Sequence, residues 1–111
     1  MNKEDIRKRD WKLFRTLLSQ WQEKYMEQLL KDYSLLISDG SYLPSYRFRE
    51  LEKRIQKDKR KPGVYVTLNK NEMENIVSEL IMENAISEED LKGFSNDFQN
   101  EVKKIIGKVN N

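Results

Sequence analysis

Apolar residues recur along this chain at helical spacing in three long blocks. In the first, Trp11, Phe14, Leu18, Trp21 and Tyr25 step by 3, 4, 3 and 4, and Leu29, Tyr33 and Leu36 continue the line. Leu17, Met26, Leu30 and Ile37 widen it. No Pro or Gly interrupts the block, so the spacing predicts one amphipathic helix over residues 5–37, about 50 Å long. "SDGSYLP" then breaks it, with Gly40 as a stop and Pro44 suited to the first turn of a second helix. That helix is expected over 44–61, with Phe48, Leu51 and Ile55 as a thin apolar line toward the core. "KPGVYVTL" reads as an extended strap laid on the core, since a lone strand has no partner to pair with.

Asn69 and Glu72 have capping-box spacing and open a third helix, 69–84, in which Met73, Ile76, Val77, Leu80 and Ile81 share one face. Ser87 is expected to cap a fourth helix, 87–107, with Glu88, Glu89 and Asp90 at the positive end of its dipole. Ile86 can staple onto Leu91, and Leu91, Phe94, Phe98, Val102, Ile105, Ile106 and Val109 form the buried line. The expectation is a single all-α domain, 1–111, of four helices, one long and N-terminal and three shorter.

The long helix has no equal. The third and fourth helices would span about 24 and 30 Å. Either the shorter elements tile along the first helix at different levels, or part of its aromatic stripe is left for another chain. Trp11, Phe14, Trp21 and Tyr25 are therefore read first as core, and second as a surface for self-association as a homodimer or for another protein partner.

Composition narrows the chemistry. There is no Cys, so disulfide and thiolate chemistry are excluded, and no His, which removes the usual general base near neutral pH and the commonest metal ligand. Glu23 with Glu27 and Glu79 with Glu83 have helical spacing, but helical di-metal sites combine such pairs with Glu-x-x-His. No glycine-rich phosphate loop and no nucleophile elbow occurs, because the glycines at 40, 63, 93 and 107 are isolated. No catalytic residue, cofactor or metal is expected. "MNKEDIRKRD" leads into no apolar leader, and no uncharged apolar run approaches the roughly 20 residues of a membrane span. The expectation is a cytoplasmic protein without a membrane partner.

Net charge is only +2, but residues 45–63 hold eight bases against three acids, a local +5, and residues 64–86 hold one base against four acids, a local −3. On a helical wheel Arg49, Lys53, Lys57 and Arg60 line up opposite Phe48, Leu51 and Ile55, and Tyr46 extends the line. Such a stripe can follow a phosphate backbone, with Tyr46 offering a ring for stacking. The simpler accounts are a solvated helix face, or one paired with the acidic third helix. A helix-turn-helix reading of "NAISEE" fails, because Glu88, Glu89 and Asp90 would meet phosphates.

Three segments together, "WQEKYMEQL" (21–29), "LEKRIQKDKRKPGV" (51–64) and "ISEEDLKGFS" (86–95), resemble a family of small uncharacterised proteins of low-GC Gram-positive bacteria. The resemblance implies a bacterial cytosolic origin and no particular activity. The functional expectation is a non-enzymatic protein-interaction or self-associating module, with accessory nucleic-acid binding as the alternative.

Overall fold

The computed structural model describes residues 2–110 and is helical, with no strand among those residues. Helix α1, Lys3–Ser38, is continuous over 36 residues. Asn2 opens it by accepting the Asp5 N–H at 2.8 Å, and Glu4 and Asp5 lie at the positive end of its dipole. Helices α2 (Pro44–Asp58), α3 (Met73–Met82) and α4 (Asn96–Asn110) pack along it at different levels. The molecule measures 60 × 31 × 22 Å with a radius of gyration of 17.0 Å, against about 13 Å for a compact domain of this length.

The core lies toward the N-terminal end of α1. Phe14, Leu18 and Trp21 meet Met73, Val77 and Leu80 of α3, and Phe98 and Val102 of α4 close the other side. An aromatic ladder runs through it. Trp11 stacks on Phe14 at 5.7 Å between ring centres, Trp21 lies 6.4 Å from both Phe14 and Phe94, and Phe94 stacks on Phe98 at 4.7 Å. Val64 closes the turn after α2, and residues 65–69 form a connector without regular structure. Only part of it acts as a strap, since Val66 packs on the core while Tyr65 and Leu68 face solvent.

In the C-terminal half three helix boundaries differ from the sequence reading. Lys70–Glu72 form a 3-10 turn capped by Asn69, which accepts the Asn71 N–H at 2.9 Å, and α3 begins only at Met73. Asn84 takes a left-handed φ of 61° and ends α3 early, a conformation Asn tolerates better than most residues. The expected fourth helix is split. Ser87 and Asp90 do form a capping box, but on a 3-10 turn, Glu88–Leu91, and α4 starts afresh at Asn96. Ser95 makes the second start by accepting the Phe98 N–H at 3.2 Å.

Ser95 is itself held by Asp10, a buried carboxylate on α1 that accepts its N–H at 2.9 Å and its Oγ–H at 2.6 Å. Replacing Asp10 by Ala removes two charge-assisted bonds and leaves Ser95 unpaired beside the core. We expect a loss of about 3 kcal/mol in urea unfolding. A loss below about 0.5 kcal/mol would show that α4 is held by its apolar face alone.

Candidate functional site

Beyond the core, the C-terminal half of α1 and the antiparallel α2 form a projecting arm. Its tip is tied by polar groups. Asp39 accepts the Ser41 N–H at 3.0 Å, and Arg47 of α2 donates to the Ile37 carbonyl and, at 3.1 Å, to the Tyr42 carbonyl. The last turn of α1 has no cation of its own, so Arg47 supplies the C-terminal cap from the next helix.

At the base of the arm α2 stops short of Lys61-Pro62-Gly63. Helix α2 ends at Asp58, three residues before the expected boundary, because that carboxylate turns inward. Its Oδ2 accepts the Tyr33 hydroxyl at 2.5 Å, and its Oδ1 lies 3.3 Å from the Lys61 ammonium. Lys61 also reaches Glu83 at the end of α3, at 3.2 Å. Gln22 donates to the Pro62 carbonyl at 2.9 Å, and Gly63 packs on the Tyr25 ring so closely that an added Cβ would lie 2.7 Å from Tyr25 Cγ. Arm and core are thus joined by a polar cluster drawn from α1, α2 and α3.

Arg49, Lys53 and Lys57 are exposed along α2, Arg60 follows in the turn after it, and all four lie outside the ion pairs among the described residues. The acidic α3 neutralises Lys61, not the stripe. Tyr46, also exposed, stacks on Tyr42 at 4.8 Å. Of the aromatic stripe, Phe14 and Trp21 are buried within the chain's own core, while Trp11 and Tyr25 are half-buried, Trp11 beneath the Arg15 guanidinium at 5.5 Å.

The expected inward line of α2 is corrected by the structure. Phe48 is 74% exposed and Ile55 42% exposed. Helix α2 turns Arg47, Leu51, Arg54 and Asp58 toward α1, since the two ends of that line find polar partners there. Phe48 and Ile55 are left a quarter-turn away. On α1 the residues that widen the stripe, Leu30 and Ile37, are 61% and 51% exposed. A shallow apolar cleft of about 190 Å³ between Met26, Leu30, Tyr33, Ile55 and Lys59 shows that these residues of the two helices lie on one side of the arm. Sequence reasoning turned Phe48 and Ile55 toward the core and read Met26, Leu30 and Ile37 only as a widening of the α1 stripe. The available signal was the widening of the α1 stripe beyond Met26, where neither α3 nor α4 remains to cover it.

Among the described residues no group of His, Cys, Asp or Glu is placed to hold a metal ion, and no helix is long and apolar enough to cross a membrane. Compared with protein-family models, curated proteins and solved structures, the chain gives no match.

The cluster at the base of the arm makes stability depend on alkaline pH. Burial raises the Tyr33 hydroxyl well above the ordinary tyrosine range, and its bond to Asp58 raises it further. Tyr25 is raised by burial too. At Lys61 burial acts downward, but the bonds to Glu83 and Asp58 outweigh it and the ammonium is raised. Each group is raised on folding, so its contribution is complete below its unfolded value, near pH 10 for tyrosine, and is lost as pH rises through the folded value. The thermal midpoint should therefore fall steeply above about pH 10, and Tyr33→Phe should flatten that fall. Parallel profiles for wild type and Tyr33→Phe would separate the alkaline transition from this bond.

Proposed function

We propose that this chain is a small non-enzymatic protein-interaction module that works through the apolar side of the α1–α2 arm. The observation that carries the reading is the exposure of Leu30, Ile37, Phe48 and Ile55 on one side of a structure projecting from the core. Large apolar side chains in water are common singly, but their grouping on one side marks a contact surface. The non-enzymatic part is supported by a sequence without His or Cys. The cytoplasm is the compartment this reading takes, in keeping with the absence of Cys.

The test compares two baits, the wild-type chain and Phe48→Glu/Ile55→Glu. Both substituted residues are exposed, so helicity and thermal midpoint should stay unchanged. Proteins retained by the wild type, the chain itself included, should be lost by the variant. Identical retained sets would overturn the reading.

The basic stripe supports a second reading, backbone-directed nucleic-acid binding, because four exposed cations form no ion pair among the described residues and follow the exposed Tyr46, which stacks on Tyr42. Four phosphate contacts on duplex DNA give a slope of log K against log salt near about −3.6. Fluorescence anisotropy should show that slope, and Arg49, Lys53, Lys57 and Arg60 all changed to Gln should abolish it. Absence of binding at low salt would leave the stripe as a solvated helix face.

A further inference from the structure

We infer that a second copy of this chain covers the apolar side of the arm, so that two hairpins close into a four-helix bundle about a two-fold axis. This rests on the interaction-module reading and names its partner. Two antiparallel helices have one shared contact and two open sides, and a hairpin with an apolar side is half of such a bundle.

The spacing on that side fits. Met26, Leu30, Tyr33 and Ile37 step by 4, 3 and 4 along α1, and Phe48 and Ile55 lie one heptad apart along α2, with half-buried Leu51 between them at the α1 contact. Both lines keep the heptad spacing that lets helices crossing at about 20° interlock their side chains. An isologous contact needs only this one self-complementary patch.

The surface area fits as well. The chain exposes 7962 Å², whereas a compact monomer of 13.4 kDa exposes about 6,500 Å². The excess of about 1,500 Å² belongs to the elongated shape as a whole, and it leaves room for the roughly 800 Å² that each partner contributes to a standard interface.

Charge favours one arrangement. At the level of the cleft, Glu23 and Glu27 border the apolar side on α1, and Lys59 borders it on α2. Glu52 lies nearer the tip. A two-fold axis parallel to the helices sets each α1 border opposite the partner's α2 border, bringing Glu27 to Lys59 twice. The basic stripe points away from this contact, so it adds no repulsion across the interface.

Sedimentation equilibrium at about 50 µM tests the inference. The wild type should have twice the 13.4 kDa chain mass. Phe48→Glu should weaken the dimer about 1,000-fold with unchanged circular dichroism, since each substitution counts twice. Glu27→Lys should weaken it less, and adding Lys59→Glu should restore it. A wild type of single-chain mass would overturn the dimer, as would a dimer indifferent to both Phe48→Glu and Ile55→Glu. If that single chain still retains a different protein through Phe48 and Ile55, the module reading stands without the dimer. If it retains nothing, both fall.

Discussion

The carboxylate of Asp58 decides how the arm is built. One oxygen accepts the Tyr33 hydroxyl and the other faces Lys61, whose ammonium continues to Glu83, so three helices meet at one buried charge. Burial of apolar surface alone would roll α2 by about a quarter-turn and press Phe48 and Ile55 onto α1, each contributing about 1.5–3 kcal/mol. Asp58 would then leave Tyr33 and Lys61, and Arg47 would leave the α1 carbonyls it caps. Losing the two bonds to the Asp58 carboxylate costs about 1.5–3 kcal/mol each, and losing a cap costs about 1 kcal/mol more. The polar contacts hold their own against the apolar ones, and the rotation they select leaves the apolar line of α2 facing outward.

That balance explains why the fold was legible in the sequence and the surface was not. The 3-4 spacing from Trp11 to Leu36 foretells a long helix, and the run through Met73, Val77 and Leu80 foretells a buried one, because core burial sets both patterns. Capping residues were legible too, but Asn69 and Ser87 open 3-10 turns and not α-helices. "ISEEDLKGFSNDF" contains two capping signals, at Ser87 and Ser95, and only the tertiary bond from Asp10 to Ser95 shows that the second opens the helix. Phe48 and Ile55 were misread because a three-residue apolar line normally faces inward. Nothing local to α2 announces that Asp58, a charged residue, takes the inward place. Polar partners 25 residues away in sequence, Tyr33 above all, decide it.

The basic stretch divides along the same line. Lys61 is structural, a bridge between Asp58 and Glu83, and Arg54 pairs with Glu50 one turn earlier. Arg49, Lys53 and Lys57 look away from every other element, with Arg60 beyond them in the turn. A local charge of +5 is therefore two things at once, a tie that fastens α2 to the core and a solvated stripe that the fold does not need. Removing the stripe leaves the tie untouched, which is why the stripe can be substituted as a block without endangering the fold.

The unequal length of α1 has a geometric cause. A strict seven-residue repeat on a straight helix of 3.6 residues per turn drifts by about 20° per heptad. This stripe departs from that repeat after Trp21, where Tyr25, Leu29 and Tyr33 follow in steps of 4, and at 100° per residue each such step turns the line by about 40°. The N-terminal part of the stripe therefore faces α3 and α4, while its continuation through Tyr33 and Leu36 has rotated toward a different neighbour, α2. The same drift brings Leu30 and Ile37 to the open side, because the residues widening the stripe rotate past α2's reach. A shorter helix could serve one group of partners only. One this long serves the core at one level and α2 at the next, and still has a third face free along the arm.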